Sequence, residues 1–140
     1  MAQIILISAM RCNFNKEIRM EKMNVKPATG KLGVLCVGLG AVTSTFMTGV
    51  LMARKGLAKP VGSMTQYDKM RVGRGENKKY LHYGEIVPLA NLNDIVFGAW
   101  DVYPANAYES AVNAEVLKEK DINPVKDELE KIVPMKACLL

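Results

Sequence analysis

The sequence is short of the groups that usually carry chemistry. Its single histidine, His82, leaves a histidine-based triad or a multi-histidine metal site without a second member. Cysteine occurs at Cys12, Cys36 and Cys138, an odd number with no CxxC spacing. That pattern speaks against a disulfide framework and against a zinc site, and it fits a reducing cytoplasm. Cys36 lies in an apolar run, where a thiol behaves as a small hydrophobe. Cys138 is third from the end rather than fourth, so the tail is not a prenylation box. There are no carboxylates paired for acid–base work, no lysine set in an apolar pocket, and no internal repeat or low-complexity tract. The sequence therefore offers no local catalytic residue and no metal ligand set.

What is present suits one α/β domain. A chain of 140 residues with 49% hydrophobic and 24% charged residues is long enough to bury a core and polar enough to be globular. The formal charge of +5 is modest and spread out. Arg71, Arg74, Lys78 and Lys79 form the one basic cluster, with Tyr67, Tyr80 and Tyr83 nearby. Asp68, Glu76 and Glu85 sit among them, so this stretch reads as a solvated hairpin and not as a nucleic-acid surface. Residues 1–23 look foreign to the rest of the chain. The apolar start has no basic segment before it, as a secretory signal would, and Met20 and Met23 are alternative starts. They read as a disordered or non-native extension, followed by a domain over 24–137 and a tail at 138–140.

The chain is organised around Lys31 to Gly56. Leu32 to Val37 is an uncharged run rich in branched residues, the pattern of a buried strand in a parallel sheet. Gly38-Leu39-Gly40 comes next, then a stretch in which Val42, Phe46, Gly49, Val50, Ala53 and Leu57 recur at helical spacing. Arg54 and Lys55 place cations in the last turn, Gly56 stands where a C-cap glycine belongs, and Pro60 lies just beyond. Strand, glycine turn and helix make the first unit of a nucleotide-binding fold. Gly38 allows the tight turn, and Gly40 lets main-chain N–H groups approach a pyrophosphate at the positive end of the helix. The usual third glycine is Thr43 here, which leaves Gly49 to supply close helix–strand contact. A rival reading takes uncharged Leu32 to Ala53 as a membrane span, but its glycines, serine and threonines dilute the hydropathy.

Downstream, Thr65 to Val72 and Lys79 to Val87 flank a turn at Gly73 to Asn77, which predicts a two-stranded excursion. Ile95 to Val102 reads as a second buried strand with Asp101 near its C-terminal end, the edge at which doubly wound sheets bind ligands. A ribose-binding acid is expected about 20 residues after the glycines, where this chain has Pro60. Asp101 can take that role if the intervening segment is an insertion. Asn106 and Glu109 form a capping box opening a helix whose apolar and acidic faces run on to Glu119. Asn123-Pro124 opens another, with Val125, Leu129, Ile132 and Val133 inside and Pro134 as its stop.

With these residues in order, the chain resembles the myo-inositol-1-phosphate synthase (inositol-3-phosphate synthase) family. Four pieces carry the resemblance: VGLG at Val37 to Gly40, GSMTQ at Gly62 to Gln66, NDIVFGAWDV at Asn93 to Val102 and NAYESA at Asn106 to Ala111. The resemblance covers Val25 to Ala137 and implies a partial Rossmann-like, doubly wound parallel sheet with an inserted two-stranded excursion. It implies an isomerase of inositol and phospholipid biosynthesis that converts glucose 6-phosphate to myo-inositol phosphate with NAD, which takes a hydride and returns it. Gly38, Leu39, Gly40, Ala41, Val42, Thr43, Ser44 and Thr45 match the family's pyrophosphate loop, and Asp101 its ribose-binding acid. The family's fuller loop carries asparagines that this chain replaces, so the Thr43, Ser44 and Thr45 hydroxyls are expected to contribute.

The residues that act on the sugar phosphate lie downstream in the family, beyond Leu140. The expectation is thus a cytoplasmic fragment carrying part of the NAD-binding domain, inactive alone, with no catalytic or metal residue and no nucleic-acid or membrane partner. A homo-oligomer, a tetramer, is expected only at full length. A non-catalytic NAD-binding module and a non-functional gene fragment are the alternatives.

Overall fold

The computed structural model describes residues 26 and 29–138; the extension read at 1–23 lies outside the described residues. The chain opens with β1 (Leu32–Val37) and α1 (Ala41–Arg54). An arm comes next: α2 (Met64–Tyr67), β2 (Lys69–Val72), β3 (Lys79–His82) and α3 (Tyr83–Ile86). It returns through β4 (Ile95–Asp101) to α4 (Ala107–Asn113), α5 (Glu119–Ile122), α6 (Lys126–Glu130) and β5 (Met135–Lys136). The main sheet has the order β1-β4-β5 with both pairings parallel, and β2 and β3 form a separate antiparallel pair. Two crossovers stepping the same way across a parallel sheet place their helices on one face, by the right-handed rule. This is one wound half of the expected architecture, with the excursion inserted between α1 and β4.

Among the described residues the strands are covered on one side only, whereas their apolar composition suits cover on both. Val34, Cys36, Phe97 and Ala99 turn inwards, whereas Val37 is 89% exposed on the outer face. The core beneath the helices joins Leu39, Met47, Leu51, Ala99, Ala107, Ala111, Ile122, Val125 and Leu129. Ile122 and Val125 lie where α5 runs through a 3-10 turn (Asn123–Val125) into α6, with Pro124 at the turn's start. Ile122 is fully buried, so Ile122→Val removes one methylene from a site with little room to collapse. We expect a loss of about 1 kcal/mol of unfolding free energy, read by denaturant titration.

The inner stripe of α1 is not the predicted one. Ser44, Met47, Thr48, Val50 and Leu51 are buried, while Val42, Phe46 and Gly49 are exposed. Hydroxyl residues can face the core because the helix absorbs them: Ser44 Oγ donates to the Ala41 carbonyl at 3.2 Å and Thr48 Oγ1 to that of Ser44 at 2.8 Å. Gly49 makes no close helix–strand contact; a Cβ there would meet nothing within 4 Å. The helix end is as read. Gly56 has φ +67°, its N–H donates to Ala53 and that of Leu57 to Met52, the paired bonds of a Schellman cap.

Elsewhere local hydrogen bonding overrides the strand and helix patterns. Thr65 to Tyr67 and Tyr83 to Ile86 are helical turns rather than strand extensions; at the second, Glu85 Oε1 accepts the His82 N–H at 2.8 Å. The Asn106–Glu109 capping box forms in both directions, at 2.9 and 3.1 Å. Its helix stops at Asn113, well short of Glu119, and Glu115 takes φ +53° in the turn beyond it. Likewise α6 ends at Glu130 instead of running to Pro134, which leaves Val133 exposed and frees Met135–Lys136 to pair with β4.

Candidate functional site

The last β1–β4 pair is Val37 with Trp100, and the Gly38 N–H then donates to the Trp100 carbonyl at 2.7 Å. At that point the chain turns. Gly38 takes φ +91°, a left-handed conformation that an L side chain rarely adopts, and α1 begins three residues later. Leu39 is the anchor, buried in the core while its amide faces the sheet edge. One residue past Trp100 in β4, Asp101 reaches the same corner. Its Oδ2 accepts the Leu39 N–H at 2.5 Å and its Oδ1 accepts the Tyr103 N–H at 3.0 Å. The glycine turn and the acid that the sequence proposes together are thus in direct contact across 62 positions of chain. The rival reading of Leu32 to Ala53 as a membrane span is contradicted by this turn, which divides the stretch into strand and helix as expected; among the described residues, no helix is long and apolar enough to cross a membrane.

The start of α1 is electrically open. Gly40 is the N-cap in an extended conformation with no side-chain cap, and the first turn has no acidic residue. Ordinary helix geometry leaves the N–H groups of Gly40, Ala41, Val42 and Thr43 without partners inside the helix. The Ser44 N–H makes the first internal bond, to the Gly40 carbonyl at 3.0 Å. A Cβ at Gly40 would meet nothing within 4 Å, so the approach to these amides is clear. Four donors and the positive end of a 14-residue helix converge on one solvent-facing spot, which suits an anion.

The predicted loop thereby divides by role. The amides of Gly38, Leu39 and Ser44 are committed to carbonyl or carboxylate partners within the fold. Ser44 is buried with its hydroxyl bonded to Ala41, so it does not offer that hydroxyl at the corner as its sequence position suggests. Thr43 lies beside the Cys36 thiol, whose pKa is raised by burial and only partly brought back by the Thr43 side chain. The thiol stays protonated at neutral pH and is a packing group. Thr45 is half-buried within the first turns of α1, and Val42 is 84% exposed at the mouth of the corner. The contribution of the backbone of Tyr103, one step beyond Asp101, is not visible in the sequence; only the strand's acidic end marks the place.

The Tyr103 amide first, and the Leu39 amide second, hold the Asp101 carboxyl below the ordinary aspartate pKa. A lowered folded pKa means the interaction is complete above the unfolded aspartate pKa and is lost as pH falls through the folded value. We therefore expect the Leu39 amide proton shift to stay constant from neutral pH through the usual aspartate range and to move only in stronger acid. A midpoint at the ordinary aspartate value would contradict the bond. No group of three or more histidine, cysteine, aspartate or glutamate side chains capable of holding a metal is found among the described residues.

Comparison with known proteins locates this corner in a family. The NAD-binding family model described as myo-inositol-1-phosphate synthase matches residues 32–140. An inositol-3-phosphate synthase 1 of Bacteroides thetaiotaomicron is 60% identical over 118 residues, covering 84% of this chain and 27% of that protein. One from Oryza sativa subsp. japonica is 34% identical over 117 residues, covering 75% of this chain and 23% of its own length. The crystal structure of inositol-3-phosphate synthase from Caenorhabditis elegans superposes with a TM-score of 0.68 at 27% identity, over 82% of this chain and 25% of that one. The chain spans about a quarter of the length of these relatives. Matched over residues 32–140, a range that includes its first strand, glycine corner and acid-tipped β4, it belongs to the myo-inositol-1-phosphate synthase family, in the NAD-binding portion.

Proposed function

We propose that this chain supplies part of the NAD-binding domain of an inositol-3-phosphate synthase, and that its own chemistry is dinucleotide binding rather than turnover. The observation that carries the reading is the Asp101–Leu39 hydrogen bond beside the four unpartnered amides of Gly40 to Thr43. In it, those amides receive the pyrophosphate oxygens, while Gly38 sets the turn and Leu39 pins it to the core. Asp101 does two jobs: it fixes the turn through Leu39 and uses its remaining lone pairs for the ribose hydroxyls, each oxygen having room for more than one donor. Exposed Val42 lines the approach, and Thr43, Ser44 and Thr45 act by holding the helix start in shape.

When bound, NAD accepts and returns a hydride, which lets glucose 6-phosphate be converted to inositol phosphate without net oxidation. The residues here contribute binding and orientation to that reaction. No described residue is placed as its base or as the partner of an enolate oxygen: His82 caps α3 on the exposed arm, and Cys36 is a packed thiol. Residues 1–23 take no part in this reading.

Equilibrium dialysis of the purified chain against radiolabelled NAD, run beside an assay of inositol phosphate formation from glucose 6-phosphate, tests the proposal. Saturable NAD binding without product is expected. Product formed by this chain alone would overturn the reading, as would the absence of any binding at millimolar NAD.

A further inference from the structure

Arg54 is the last residue of α1, at the end of the helix remote from Gly40. Its guanidinium reaches across to the segment that leads into β4. Nε donates to the Leu92 carbonyl at 2.7 Å and Nη2 donates to the Ile95 carbonyl. The same group lies over the Phe97 ring, 5.6 Å from its centroid, and Phe46 of α1 meets that ring edge-on. One side chain thus grips the 3-10 turn before β4 (Leu92–Asp94), the first residue of the strand and the ring of its third. Backbone groups alternate sides along a strand, so the Ile95 carbonyl points the same way as that of Asp101, which accepts the Ala137 N–H on the β5 side. β5 pairs only with Trp100 and Asp101. At the other end of β4 the Arg54 guanidinium takes the place of a ladder bond.

The strand needs such a mark. A slip of one residue against β1 would turn every β4 side chain to the other face, and the core forbids it. A slip of two keeps Phe97 and Ala99 on the core face, so the apolar pattern alone does not exclude it. Two residues are about 7 Å along a parallel strand, enough to carry the Asp101 carboxylate out of reach of the Leu39 N–H. In mid-strand, Leu35 packs on Gly98, where a Cβ would lie 2.7 Å from its Cδ2. Arg54 adds a fix at the start of the strand. We propose that Arg54 is a positioning residue of the dinucleotide site: by holding the point at which β4 begins, it sets where Asp101 meets the glycine turn. The assignment rests on the reading of Asp101 and the start of α1 as the NAD site. Fourteen residues of helix separate Arg54 from Gly40, about 20 Å of rise, so it acts through β4 and not by touching the pyrophosphate.

Arg54→Met, which keeps the aliphatic length and removes every donor, tests the proposal beside Ile122→Val, which loosens the core elsewhere. The amide proton shift of Leu39, read without NAD, reports the bond it donates to Asp101. Arg54→Met is expected to move that shift towards its value in Asp101→Ala, with an unchanged circular dichroism spectrum, and Ile122→Val to leave it in place. NAD affinity, read by calorimetric titration, should fall roughly threefold to tenfold in Arg54→Met. It should fall no further when Arg54→Met is added to Asp101→Ala, because the effect passes through Asp101. A Leu39 shift unchanged in Arg54→Met overturns the proposal, whatever stability is lost. An equal move in Ile122→Val overturns it as well, since the effect would then be a general loosening, and so does an additive loss of affinity in the double variant. Should Arg54→Met fail to fold, Arg54→Lys is read in its place. Its single ammonium cannot reproduce the forked grip, so a Leu39 shift at the parent value would overturn the proposal. Because that shift is measured in the absence of NAD, a chain that binds no NAD refutes the site reading separately from the hold of Arg54 on β4.

Discussion

Gly40→Asp is expected to stabilise the fold while abolishing most of its affinity for NAD. The two effects share one cause. Gly40 is the N-cap of α1, extended and without a side-chain bond to the helix. An aspartate there can accept from the N–H groups two and three residues on and sits favourably at the positive helix end. We expect a gain of roughly 0.5 kcal/mol in unfolding free energy. The same carboxylate occupies the donors assigned to the pyrophosphate and repels its charge, for a loss of affinity on the order of a hundredfold. Gly40→Ala is the control, since its Cβ enters open space and adds neither charge nor cap. Thermal unfolding and calorimetric titration with NAD on the same three proteins read both signs. A destabilised Gly40→Asp, or one that binds NAD like the parent, would show that the helix start is not the anion site.

Asp101→Ala should cost affinity twice over, once at the ribose and once at the turn. The carboxylate accepts from Leu39 and Tyr103 at the ends of both strands of the corner. Its removal frees the Leu39 amide and loosens the register between glycine turn and sheet edge. We expect NAD affinity to fall on the order of tenfold to a hundredfold, because hydrogen bonds to a charged acceptor are stronger than neutral ones. Asp101→Asn keeps an oxygen for Leu39 and loses the charge, so it should hold the turn and recover little of the binding. Comparing the Leu39 amide shift in the two variants separates the roles. If Asn restores full affinity, the carboxylate's charge has no part in holding the ribose.

How much of this was legible in the sequence depends on the range of the forces involved. β1 and α1 could be read almost to the residue, because an uncharged branched run, two glycines, a helical stretch and Gly56 as terminator are all local signals. The Asn106–Glu109 box was legible for the same reason. The phase of α1 was not. Ser44 and Thr48 look like surface residues until their hydroxyls are seen bonded to carbonyls one turn back, which lets them be buried while Val42 is left 84% exposed. The arm was half legible: the turn at Gly73 stood out, but the helical turns at Met64 and Tyr83 interrupt runs whose composition suits a strand. β5 left almost no mark, since a strand of two residues is defined by its partner and not by its own pattern.

The site shows the same division. That Gly38, Gly40 and Asp101 belong together was an inference from motif order, and the fold brings Leu39, the residue between the two glycines, into contact with Asp101 through parallel pairing of strands far apart in sequence. Which amides remain free could not be read. It depends on Leu39 being claimed by Asp101, Gly38 by Trp100 and Ser44 by the first helical bond. In the proposed reading, the loop of eight candidate residues therefore offers the pyrophosphate the four amides from Gly40 to Thr43.

The most direct test of that reading is an NMR titration of the uniformly 15N-labelled chain with NAD. The largest amide shifts are expected at Gly40, Ala41, Val42 and Thr43, with a second group at Asp101 to Tyr103 and no change in the arm from Lys69 to His82. Shifts concentrated in the arm, or an unperturbed helix start at saturating NAD, would contradict the account.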